Sequence, residues 1–142
     1  MPFHRLLAVG ALALGLMACT PALNWREVSP GRSSARALLP CKPDQAIRSV
    51  PLGGVLTELN VIGCDAAGTT FAVMTATLEA GRAPDEVLAG WQQATLANMQ
   101  ADAVWTARAS AGGTTELLHA VTYADRPQPD VTDAFFAGVR WP

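Results

Sequence analysis

The chain has 142 residues with 10 Lys or Arg against 12 Asp or Glu, a net charge of −2. A mildly acidic chain without a basic cluster lacks the electrostatic footprint of a nucleic-acid-binding protein. The length suits a single domain large enough to bury a real core.

Met1 to Arg5 carries one fixed positive charge, and Leu6 to Ala18 is an unbroken run of Leu, Ala, Val, Gly and Met. These are the n-region and h-region of an export signal. The run is shorter than the roughly 20 apolar residues that span a bilayer. Leu16-Met17-Ala18-Cys19 closes it. With Leu at −3, Ala at −1 and Cys at +1, this stretch resembles the lipobox of bacterial lipoproteins, whose cysteine is acylated and whose signal is cut before it. The resemblance makes residues 1–18 a lipoprotein signal peptide and Cys19 the lipidation site, a palmitate-type membrane anchor. Two or three acyl chains hold stably, at about 0.8 kcal/mol per buried methylene. Thr20 at +2, rather than Asp, implies by the lipoprotein sorting rule an outer-membrane protein facing the periplasm. The alternative is a secretory signal cut after Ala22, which leaves a soluble periplasmic protein.

Cut before Cys19, the chain loses 18 of its 142 residues and keeps 124, with 9 basic against 12 acidic side chains once Arg5 is gone. The positive mean hydropathy of the whole chain therefore overstates that of the mature protein. With Cys19 acylated, Cys41 and Cys64 remain as an even pair in a compartment that oxidises thiols. We expect them to form a disulfide, contributing roughly 3 kcal/mol on the chain-entropy model. Two buried free thiols are the alternative, and the absence of C-x-x-C spacing speaks against a redox-active pair.

Residues 19–36 are rich in Pro, Gly and Ser and read as a lipidated tether. Trp25 and Val28 interrupt that reading, and Asn24 to Val28 is expected to dock back on a domain spanning residues 37–142, with a place at the membrane interface as the alternative. Ala37-Leu38-Leu39-Pro40 reads as a short edge strand before a turn in which Pro40 and Pro43 cannot donate to a ladder. Ile47 to Leu52 is a second strand, stopped by Gly53-Gly54. In Val55 to Cys64, the parity of Val55, Thr57, Leu59 and Val61 is the better core face. A short turn at Asp65 to Gly68 implies an antiparallel hairpin with the β-branched run Thr69 to Leu78. The period then changes to 3.6. Pro84 suits the first helical position, and Asp85 and Glu86 suit the helix N-terminus. Val87, Leu88, Trp91, Ala94, Thr95 and Met99 share one face of an amphipathic helix from Pro84 to Gln100. Val104 to Ala109 and Thr114 to Tyr123 form a hairpin around Gly112-Gly113. Asp130 is the expected cap of a final short helix carrying Val131, Phe135 and Val139, with Phe136 beside them. The expected fold is thus α+β: one antiparallel sheet of about five to six strands, with a long amphipathic helix and a short C-terminal helix packed on it.

Cys19 to Val28, Leu38 to Asp44 (Leu-Leu-Pro-Cys-Lys-Pro-Asp) and Ala134 to Arg140 (Ala-Phe-Phe-Ala-Gly-Val-Arg) resemble an uncharacterised family of small betaproteobacterial lipoproteins. That resemblance implies no activity and no catalytic residues. The order of elements is also similar to the Mog-type and photosystem P-subunit-like α/β sandwich, an antiparallel sheet flanked by helices.

Chemistry-bearing residues are sparse. His4 leaves with the signal, so His119 alone remains, expected as a half-exposed strand residue. A lone histidine makes no typical zinc site without Cys or carboxylate help. Of the mature serines, Ser29, Ser33 and Ser34 lie in the tether, and neither Ser49 nor Ser110 sits in a G-x-S-x-G context. Asp65 and Glu58 are the carboxylates to test beside His119, and no phosphate loop, dinucleotide fingerprint or EF-hand loop is present. We therefore expect no enzyme, no metal and no cofactor. The leading expectation is a non-enzymatic envelope lipoprotein presenting a surface to a periplasmic protein, peptidoglycan or an exported ligand. The alternative is a small-molecule or lipid carrier with a pocket between sheet and helix near Trp91 and Met99.

Overall fold

The structure, a computed structural model, describes residues 23–98, 103–111 and 113–142. Cys19 and Met99, two of the expected site residues, lie outside them. In chain order the elements are β1 Arg26–Val28, β2 Ala37–Leu39, β3 Asp44–Leu52, β4 Val55–Ala66, β5 Thr69–Leu78, α1 Pro84–Asn98, β6 Ala103–Ala111, β7 Thr114–Ala124 and α2 Pro129–Ala137. Strands β3 to β7 form an antiparallel sheet in the order β3-β4-β5-β7-β6. Gly53 and Gly54, at φ of 58° and 81°, close the β3–β4 hairpin in the two-residue form whose twist matches the flanking strands. Ala67 and Gly68 do the same for β4–β5, with Ala67 held at φ 50°. Helix α1 carries the chain over the sheet, so that β7 pairs with β5 and β6 is left at the edge.

The expectation of one sheet with a long helix is corrected on both counts. The structure is mostly β and contains two sheets, the second made of β1 and β2, and its helices are short. The reason lies in β5 and β7, which are apolar on both faces. Phe71 and Val73 of β5, Leu118 and Ala120 of β7, and Ile62 and Cys64 of β4 form a core on the face turned away from α1. Burying that face needs a second cover, which a helix of nine residues, α2, does not supply alone. The β1–β2 pair completes it, directing buried Ala37 and Leu39 onto the sheet, with Trp25 and Val28 packed alongside. Pro40 and Pro43 interrupt the backbone donors between β2 and β3, so β2 stays out of the main sheet.

The β4 face assignment changes for the same reason. Leu59 is buried toward α1, whereas Ile62 and Cys64 are buried on the opposite face, and Val55 and Leu56 at the hairpin end are exposed. Cys41, just after β2, and Cys64 of β4 sit at disulfide distance, with Cα atoms 5.8 Å apart. Their bond joins the small sheet to the large one.

Residues 23–36 are tied down at several points. The Asn24 amide donates to the Pro40 carbonyl at 2.6 Å, and the Ser33 hydroxyl donates to the Glu116 carboxylate. Glu27 pairs with both Arg36 and Arg140. Arg36 and Arg140 also exchange backbone hydrogen bonds, which brings the C-terminus to the same corner. Helix α2 buries Phe135 and is followed by buried Val139, with Val131 and Phe136 partly buried on the same core. Its N-cap is Gln128 and its first residue Pro129, so Asp130 lies inside the first turn rather than capping it. The Gln128 side chain instead donates to the Ala67 carbonyl at 2.7 Å and to Thr69 Oγ1 at 3.0 Å, fastening the helix start to the β4–β5 turn. No helix of the described residues is long and apolar enough to cross a membrane.

Candidate functional site

The two covers of the main sheet differ in completeness. Helix α1 buries Val87, Leu88, Trp91 and Thr95, and it lies mainly over β6 and β7. Arg108 of β6 pairs with Asp85 in its first turn at 3.4 Å. On the β3–β4 side the helix stands off, and a cleft of about 500 Å³ opens between helix and sheet. Val50 and Leu52 of β3, Leu59 and Val61 of β4 and Met74 of β5 form its floor, while Gly90, Trp91, Ala94 and Thr95 of α1 form its roof. That volume falls within the range of small-molecule sites, roughly 300–1,000 Å³.

Small residues on one side of α1 leave the cleft open. Gly90 and Ala94 are four residues apart, so they stack on one side of the helix and give that side almost no side-chain bulk. A Cβ placed on Gly90 would meet no atom within 4 Å. The floor residues Val50, Val61 and Met74 are left partly buried although they belong to the helix-facing core. A well-packed interior leaves few voids of this size.

At the inner wall, Trp91 and Thr95 of α1 lock together with His119 of β7. The rings of Trp91 and His119 stack with centroids 4.6 Å apart and planes 10° from parallel. His119 Nε2 and Thr95 Oγ1 are hydrogen-bonded at 2.9 Å. His119 is fully buried, and burial lowers its pKa to about 4. Its Nδ1 has no hydrogen-bond partner among the described residues. A hydroxyl beside an imidazole has the outline of a nucleophile and its base, yet among the described residues no carboxylate orients the ring as in a catalytic triad. A base of such low pKa is also too weak to take a hydroxyl proton effectively. The pair instead fixes Trp91 and Thr95 as a rigid cleft wall.

Trp91, expected at a pocket between sheet and helix, lines this cleft. Met99, expected beside it, lies outside the described residues. His119 corrects the expectation of a half-exposed residue. It shares its parity with Leu117 and Val121 on a strand paired on both sides, and that place inside the sheet buries it fully. Asp65 and Glu58 are not gathered around it: Asp65 accepts from the Thr70 hydroxyl, and Glu58 lies opposite Ser49 on the face away from α1. Among the described residues no three His, Cys, Asp or Glu side chains cluster to hold a metal ion. Arg48 and Gly90 line the cleft, and sequence patterning did not single them out. No family model, no curated protein and no solved structure matches the chain.

Proposed function

We propose that the protein is a lipid-anchored envelope protein, without enzymatic activity, whose domain binds an apolar small molecule in the cleft between α1 and the β3–β4 side of the sheet. One observation carries the ligand reading: an apolar cleft of about 500 Å³ under a helix that presents Gly90 and Ala94 where large side chains would close it. The lipobox at Leu16 to Cys19 supports the anchor, with Cys19 bearing the acyl chains and the outer membrane as the destination. The domain then works at a lipid surface, where apolar ligands are abundant.

Native mass spectrometry of the mature protein, together with enhancement of an environment-sensitive apolar dye, tests the ligand. Wild type is expected to retain or take up an apolar molecule. Gly90→Leu and Ala94→Trp, which fill the cleft from the helix side, are expected to weaken dye binding at least tenfold while leaving the far-ultraviolet circular dichroism unchanged. Equal dye binding by wild type and both variants would sink the reading. Labelling with radioactive palmitate tests the anchor, and a Cys19→Ser protein that still fractionated with membranes after normal processing would remove it.

A further inference from the structure

We infer that the cleft takes a long-chain aliphatic carboxylate, with its head group at Arg48 and its chain lying along Val50, Leu59, Val61 and Met74 beneath Gly90 and Ala94. This assignment rests on the reading of the cleft as a ligand site and adds the ligand's charge and polarity. Arg48 is the one charged side chain among the described residues lining the cleft. It is exposed at the mouth, on edge strand β3, in register with Leu59 of the floor. Among the described residues its Nη1 donates to the carbonyl of its own neighbour, Ile47, at 3.1 Å and to no other group. No carboxylate of the described residues lies within ion-pair distance of it, whereas Arg36, Arg108 and Arg140 each have one.

An unpaired guanidinium beside an apolar wall has a fork of donors suited to bidentate capture of a carboxylate. The wall excludes water on one side, which strengthens the pairing relative to open solvent. The charge balance selects a monoanion. Among the described residues, the cleft lining offers no second cation to share a doubly charged phosphate and no acid that would welcome an amine. The aliphatic stem of Arg48 can lie over the apolar floor while its head stays in water, so the residue serves as the boundary between tail and head group.

The test uses the mature protein and three probes of equal chain length below their aggregation concentrations: dodecanoate, dodecanol and dodecyltrimethylammonium. Affinity is read by displacement of the apolar dye. Dodecanoate is expected to bind at least tenfold tighter than dodecanol, and the ammonium weakest. Arg48→Gln is expected to bring dodecanoate to the level of dodecanol without changing the alcohol, and Arg48→Lys to restore part of the difference. Equal affinity for acid and alcohol in wild type, or an equal loss for both in Arg48→Gln, overturns the head-group assignment. Alcohol binding that Ala94→Trp abolishes would still leave the cleft standing in that case. Failure of all three probes to bind, or binding that Ala94→Trp leaves unchanged, overturns the cleft and the head group together.

Discussion

The two faces of the main sheet carry similar apolar residues but are finished differently. Away from α1, Phe71 meets Phe135 edge-on, with ring centroids 5.3 Å apart, and β1–β2, α2 and the Cys41–Cys64 link close over them. Toward α1, one helix covers a five-stranded sheet and its apolar face is narrow, so Val50, Val61 and Met74 keep part of their surface in water. The first face is closed over on all its described core residues, and the second keeps the cleft. The comparison is broken most directly by truncating one side chain on each. Phe135→Ala is expected to cost about 3–5 kcal/mol, as deletion of a fully buried aromatic does. Met74→Ala, at the cleft floor, is expected to cost less than about 2 kcal/mol, because the site is already open. Urea unfolding midpoints of the two variants measure the difference, and equal costs would mean that the α1 side is packed as tightly as the other.

His119 provides a pH test confined to the α1 side. Its pKa is about 4 in the folded protein against 6.5 in the unfolded chain. As pH falls through 6.5 the unfolded chain takes up a proton that the folded chain refuses, so stability drops until about pH 4. The full loss is about 3 kcal/mol, of which about 2 is incurred between pH 7 and 5. Chemical denaturation of the mature protein at those two pH values measures it, and in His119→Gln most of the dependence should vanish. On the other face the corresponding handle is redox. Reducing the Cys41–Cys64 bond, which closes a sequence separation of 23 residues, is expected to remove about 3 kcal/mol. Dye binding in the folded, reduced protein should persist, since neither cysteine lines the cleft.

Much of the framework was legible in the sequence because it rests on local rules. The double glycine at 53–54, the run Thr69–Leu78 and the Pro84-Asp85-Glu86 helix start are each specified by a few adjacent residues. The second sheet was not, because three-residue strands carry no period, and only the double-sided apolarity of β5 and β7 demands another cover. Burial of His119 follows from β7 lying between β5 and β6, a neighbour relation created by the helical crossover and absent from the strand's own pattern. Trp91 was legible from its helical face as a residue turned toward the sheet, where it is buried and also borders the cleft. Arg48 and Gly90 were not, because a cleft depends on where the helix comes to rest, and an exposed arginine or a helical glycine gives no local sign of that.

The smallest expected effect is also the sharpest contrast between the faces, because it adds the same methyl group to each. Gly138 follows α2 at an ordinary φ of −83°, so it is not needed for its backbone conformation. A Cβ there would lie 2.8 Å from both Cβ and Cγ of Leu38, atoms near the β2 backbone that cannot swing away. Gly138→Ala is therefore expected to destabilise by about 1–3 kcal/mol through overpacking. Gly90 sits in the middle of α1, where glycine costs roughly 1 kcal/mol relative to alanine, and its Cβ would meet nothing within 4 Å. Gly90→Ala is accordingly expected to stabilise by up to about 1 kcal/mol, raising the melting temperature by about 4 °C. One methyl fills little of a cleft of about 500 Å³, so dye affinity should change less than twofold, in contrast to the tenfold loss expected for Gly90→Leu. A loss of stability in Gly90→Ala would mean that the helix rests closer to β3–β4 than the cleft requires, and both the ligand and its carboxylate head group would lose their footing.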